Sequence, residues 1–135
     1  MQRQRHILLI EDNEQNRYLA TYLLGLRGHR ITPAVTGPAG IKLAREETPD
    51  LVLLDIQLPA MDGYSVARAL RAIELLQQVP IVAVTSYAML GDRERALEAG
   101  CNGYIEKPIN PETFVAEVES YFIPTAADEG IQGII

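Results

Sequence analysis

The chain has 135 residues, 47% of them hydrophobic and 22% charged, with a formal net charge of −6. This length and balance describe one globular domain with a real core and leave no room for a separate DNA-reading module, and the negative charge works against binding to a phosphate backbone. The single cysteine, Cys101, rules out an internal disulfide or a zinc cluster and suits a reducing cytoplasm.

The start, Met1 to His6, is basic. The apolar run after it, His6-Ile7-Leu8-Leu9-Ile10, ends in acid at Glu11 and Asp12, too soon for a signal-peptide core or a bilayer span. It reads as a buried strand. Asn13 to Arg27 follows as a helix, its apolar face assigned to Leu19, Tyr22, Leu23 and Leu26, with Gly28 in the left-handed position after it. Arg30 to Val35 is a weaker strand, placed at a sheet edge by Pro33. Thr36 is the N-cap of a helix that carries Pro38 early and runs to about Glu47. Leu51-Val52-Leu53-Leu54-Asp55 is the central strand: an unbroken apolar run between breakers that delivers one carboxylate.

Gly63 to about Leu76 reads as a helix with Val66, Ala67, Leu70 and Ile73 on one face, and Gly63 as turn geometry. Pro80 to Val84 is another buried strand, ending at the hydroxyls of Thr85 and Ser86. Gly91-Asp92 opens a helix that closes at Ala99-Gly100. Gly103-Tyr104-Ile105 is a short strand leading to Glu106-Lys107-Pro108. Asn110-Pro111-Glu112 has the cap, proline and acid of a helix start, and Phe114, Val118, Tyr121 and Phe122 line that helix's buried face. Residues 1–123 therefore form the domain and 124–135 a frayed tail, whose apolar end at Ile131 to Ile135 the pattern does not explain. His6 and His29 lack partners at metal-ligand spacing and read as surface or strand-edge residues. Cys101 reads as packing.

Strict strand–helix alternation with short connections predicts an α/β fold with a doubly wound parallel sheet. In such a sheet the residues just past the strands converge on one rim. Here they are Glu11, Asp12, Asp55, Thr85 and Lys107. Crowded carboxylates repel one another unless a cation sits among them, and oxygen ligands suit Mg²⁺. A lysine adds a charge for phosphate and a threonine adds a hydroxyl donor. The set suits transfer of a phosphoryl group to a carboxylate. Each residue also has a plainer reading. Asp55, Glu11, Asp12 and Thr85 could be helix caps or solvated loop residues, Lys107 a surface lysine, and Tyr104 half-buried packing.

Taken in order, Glu11-Asp12, Leu53-Leu54-Asp55, Leu58-Pro59-Ala60-Met61-Asp62-Gly63, Thr85-Ser86, Tyr104 and Lys107-Pro108 resemble the receiver domain of two-component response regulators over about residues 6 to 122. The resemblance implies a five-stranded flavodoxin-like (βα)5 fold with strand order 2-1-3-4-5. It makes Asp55 the phosphoacceptor, served by a histidine kinase or a histidine phosphotransfer protein. It gives Mg²⁺ to Asp12, Asp55 and the main-chain carbonyl of Gln57, with Glu11 acting through water. Lys107 would pair with the phosphoryl group, Thr85 would move to bond it, and Tyr104 would swing inward behind Thr85. The Lys107-Pro108 bond would be cis. The switched surface would be the face from about Gly91 to Phe122, which could also form a homodimer. Gln57 and Tyr87 would set the lifetime of the phosphorylated form.

The stretch Thr85-Ser86-Tyr87-Ala88-Met89 looks similar to those of cell-cycle regulators and hybrid-kinase receivers. On this reading the chain is a stand-alone cytoplasmic regulator, not an enzyme, that signals by protein contact with a downstream target and binds neither nucleic acid nor membrane. Three alternatives are weaker. A phosphatase of the haloacid dehalogenase type needs an aspartate where Gln57 stands. A flavodoxin-type nucleotide binder needs a glycine-rich loop where Glu11 and Asp12 stand. A pseudo-receiver that never phosphorylates would not need the full acidic set and Lys107.

Overall fold

A computed structural model describes residues 4–58, 61–86 and 91–124. The tail beyond Pro124 and the stretch Tyr87 to Met89 lie outside the described residues. Five strands alternate with five helices: β1 (His6–Ile10), α1 (Glu14–Leu26), β2 (Arg30–Ala34), α2 (Gly37–Glu46), β3 (Leu51–Asp55), α3 (Gly63–Arg71), β4 (Ile81–Thr85), α4 (Asp92–Glu98), β5 (Gly103–Glu106) and α5 (Phe114–Glu119). The sheet is parallel with order β2-β1-β3-β4-β5, as expected. The order reverses between β1 and β3, and a ligand crevice forms at such a switch point.

The apolar runs are continuous because both faces of the sheet are covered, and alternate side chains face opposite layers. Ile7, Leu9, Leu51, Leu53, Val82 and Val84 pack with Ala20 and Leu24 of α1 and Phe114 and Val118 of α5. Leu8, Ile10, Val52, Leu54, Ile81 and Ala83 pack with Ala44 of α2, Val66, Ala67 and Leu70 of α3, and Ala96 of α4. Cys101 sits in the second cluster, and burial pushes its thiol up to about 11. Pro33 lies in β2, which pairs only with β1 at the sheet edge. Gly28 has the left-handed backbone expected after α1, at φ 85°.

Four expectations need correction. The fully buried residues of α1 are Ala20 and Leu24, with Leu23 of the expected face packed half-buried beside them; Tyr22 is 53% and Leu26 68% exposed. Helix α3 ends at Arg71, and a 3-10 turn at Glu74–Leu76 follows. Arg71 turns the chain there by donating to the carbonyls of Leu76 (2.7 Å), Val79 (2.8 Å) and Gly100 (2.6 Å). Asn110 caps a turn, its side chain accepting from the Glu112 N–H at 3.0 Å, and regular helix begins only at Phe114. His29 does lie at a strand edge, just before β2, but it is buried and not a surface residue. Its ring accepts from the Arg5 N–H through Nδ1 and lies 2.8 Å from Glu119 through Nε2, joining the ends of α1 and α5.

Candidate functional site

The helix caps are elsewhere, which removes the plainest account of the polar strand ends. Asn13 caps α1, its side-chain oxygen accepting from the Asn16 N–H at 2.9 Å. Asp62 caps α3, accepting from the Ser65 N–H at 2.9 Å. Helix α4 begins at Asp92 behind Gly91, well beyond Thr85. Glu11, Asp55 and Thr85 are nevertheless buried, each 3% exposed. Each buried carboxylate accepts one backbone N–H, Glu11 from Asn13 at 3.2 Å and Asp55 from Gln57 at 2.9 Å, and charge left over in a dry site calls for a cation.

The sheet brings these groups together. Glu11 and Asp12 follow β1, Asp55 ends β3, and the two strands are neighbours in register. One carboxylate oxygen from each of Glu11, Asp12 and Asp55 lies within 4.8 Å of the others. Lys107, just past β5, reaches across β4 to place Nζ 2.9 Å from Glu11 Oε1 and 3.4 Å from Asp55 Oδ2. The Lys107 N–H donates to the Thr85 carbonyl at 2.8 Å, fixing where the lysine leaves the sheet. The Lys107-Pro108 peptide is cis. Gln57 donates its N–H to Asp55 Oδ1 at 2.9 Å.

Burial pushes the Asp55 carboxyl above its usual range. The Gln57 N–H opposes that rise, the adjacent Glu11 carboxylate adds to it, and the Lys107 ammonium again opposes it. Two carboxylates against one ammonium leave negative charge in a poorly solvated notch, and the exposed Asp12 adds a third acid at its mouth. An all-oxygen donor set with one solvent-facing side fits Mg²⁺, which retains several waters.

Tyr104 lies in β5 opposite Ala83, below the rim, and packs half-buried against the cluster that holds Ala96 and Ala99. Two sets of side-chain contacts were not visible in the sequence. Arg17 donates to the carbonyls of Glu11 and Asp12, both at 3.1 Å, and holds the acidic loop from the first turns of α1. The Gln57 side chain accepts from Ser86 across the pocket mouth.

Lys107→Ala should destabilise the protein in metal-free buffer by about 1–3 kcal/mol, because it strips the cation from two buried carboxylates. Urea unfolding at pH 7 reads this. An unchanged midpoint would mean that the ion pairs contribute nothing.

The sequence matches the response regulator receiver domain model over residues 7–119. The chain belongs to that family. As a receiver it is a two-component signalling protein, of a class that is generally not enzymatic. It is 40% identical over 117 residues to the polar-differentiation response regulator DivK of Brucella ovis, covering 87% of this chain and 95% of that one. Among solved structures it resembles the receiver domain of a Pseudomonas aeruginosa sensor histidine kinase, which has a magnesium ion coordinated in its active-site cleft. That match has a TM-score of 0.81 and 36% identity, over 88% of this chain and 98% of that one. The BeF3-activated receiver domain of Klebsiella pneumoniae RstA is 32% identical with a TM-score of 0.78, over 86% of this chain and 97% of that one. Among the described residues no helix is long and apolar enough to cross a membrane.

Proposed function

We propose that this receiver accepts a phosphoryl group on Asp55 from the phosphohistidine of a kinase or phosphotransfer protein. A carboxylate oxygen of Asp55 forms the new P–O bond as the P–N bond to the donor imidazole breaks, and the imidazole leaves with the bonding electron pair and takes up a proton. The observation that carries the reading is the meeting of Glu11, Asp12, Asp55 and Lys107 from three strand ends within one notch. Asp12, Asp55 and the Gln57 main-chain carbonyl would hold Mg²⁺, with Glu11 acting through water. Bound there, the ion neutralises phosphoryl oxygens during in-line transfer.

The phosphoryl group brings new charge beside Lys107, which already lies between Glu11 and Asp55. It draws Lys107 and the Thr85 hydroxyl toward itself, and Tyr104 follows inward behind Thr85. Moving a two-state equilibrium from 1:99 to 99:1 takes about 5.5 kcal/mol. Several charge-assisted hydrogen bonds at about 1.5–3 kcal/mol each supply it. The face of α4, β5 and α5 then changes its affinity for a downstream protein or for a second copy. The setting is the cytoplasm, in keeping with a lone buried thiol.

Incubation with acetyl phosphate and Mg²⁺, followed by intact mass measurement, tests the reading. One phosphoryl group per chain is expected, with none in EDTA. No incorporation from acetyl phosphate or from any histidine donor would make the chain a pseudo-receiver.

A further inference from the structure

One residue touches both the phosphoacceptor and the strand end that must respond to it. Through its main chain Gln57 donates to Asp55 Oδ1 at 2.9 Å. Its side-chain Oε1 accepts from the Ser86 N–H at 2.9 Å and from the Ser86 hydroxyl at 2.8 Å, and it faces the Thr85 hydroxyl at 3.4 Å. The Ser86 N–H can only donate, so this contact fixes which end of the amide points at β4. The loop after β3 is thereby tied to the end of β4 on the side of the pocket opposite the Lys107 N–H, which holds the Thr85 carbonyl.

Building on the phosphoacceptor reading above, we propose that the Gln57 side chain is a positioning latch that holds Thr85 and Ser86 in their unphosphorylated arrangement. The latch requires that the end of β4 shifts as the Thr85 hydroxyl turns from the Gln57 oxygen toward a group on Asp55. Ser86 is then carried away from the Gln57 oxygen. The resting form keeps these hydrogen bonds and the activated form exchanges them for water, because Ser86 is exposed. The latch therefore biases the equilibrium without blocking it. Neutral hydrogen bonds that water can replace make this worth roughly tenfold in the ratio of the two forms.

The test uses the full chain at saturating Mg²⁺, with beryllofluoride as the phosphoryl mimic and amide NMR as the readout. Gln57→Met keeps the side chain's length and removes its acceptor. It should bind beryllofluoride about tenfold more tightly than wild type. Before any beryllofluoride is added, its Thr85 and Ser86 amide signals should lie part-way along the line joining wild type's free and bound positions. Ser86→Ala removes the hydroxyl but keeps the N–H contact. It should move the same signals less, and add nothing to Gln57→Met in the double variant. Because it alters one exposed hydroxyl, it keeps the test decisive if Gln57→Met folds poorly. Wild-type signal positions and affinity in the variants would overturn the latch, as would shifts that leave the line. A wild type that ignores beryllofluoride would overturn the site reading and the latch together.

Discussion

Asp55→Asn is expected to take up no phosphoryl group while folding more stably than wild type when Mg²⁺ is withheld. The first half follows from removing the proposed nucleophile. The second follows from what the fold does to the carboxylate. Asp55 is buried, and desolvation, with the Glu11 carboxylate adding to it, raises its pKa against the Gln57 N–H and Lys107. A carboxyl whose pKa is higher folded than unfolded stabilises the fold below the unfolded value of about 3.9 and loses that contribution as pH climbs through the folded value. In EDTA, wild type should therefore lose stability from this group as pH rises above about 4 and through its raised folded value, and Asp55→Asn should not. Its amide oxygen still accepts from the Gln57 N–H, and Lys107 keeps Glu11. Mg²⁺ at about a hundred times its dissociation constant should add about 2.7 kcal/mol to wild type and far less to the variant, which lacks one of the proposed ligands. Chemical unfolding across pH, with and without Mg²⁺, reads both effects. A variant less stable than wild type in EDTA would mean that the Lys107 pair outweighs the burial of charge.

Gly63→Ala should lower stability by about 3 kcal/mol, roughly 10 °C in the unfolding midpoint. The expected turn geometry is not the reason this position needs glycine, since Gly63 has no left-handed backbone. The reason is close approach. A Cβ here would lie inside the contact distance of Ile56 Cα and 2.9 Å from the Asp55 carbonyl oxygen. Those are backbone atoms and cannot rotate away. The Gly63 N–H also donates to the Ile56 carbonyl at 3.0 Å, closing the loop that carries Gln57. Relieving the clash moves the segment that positions Asp55, so Mg²⁺ affinity should fall as well. Gly25→Ala is the control: it has open space around it inside α1, and there alanine should be neutral or stabilising by up to about 1 kcal/mol. Equal midpoints for Gly63→Ala and wild type would show slack in the loop that its contacts do not suggest.

The sheet and its rim were legible in the sequence because buried parallel strands are apolar throughout and the acids begin where the runs stop. Glu11, Asp12, Asp55 and Lys107 could be placed at strand ends without knowing any distance. The α1 stripe was misread in part, with Leu23 on the core side but Ala20 missed, because alanine is too small to register as a core residue by apolar spacing. Close packing against the sheet is what makes it one. Tyr22 and Leu26 continue the pattern on the exposed side of the helix. His29 read as a surface or strand-edge residue, and its burial was hidden because its partner, Glu119, lies far along the chain. The contact between Gln57 and Ser86 was hidden for the same reason: it joins two loops that only the sheet brings side by side. Arg71 could not be seen as a helix terminator because the carbonyls it gathers belong to two separate segments, one around Leu76 to Val79 and one at Gly100.

The most direct measurement is to phosphorylate the protein with a histidine donor and Mg²⁺, trap the acyl phosphate by borohydride reduction, and locate the reduced residue by peptide mass mapping. Reduction at Asp55 alone is the predicted result. Reduction at Glu11 or Asp12, or at a residue outside the notch, would contradict it.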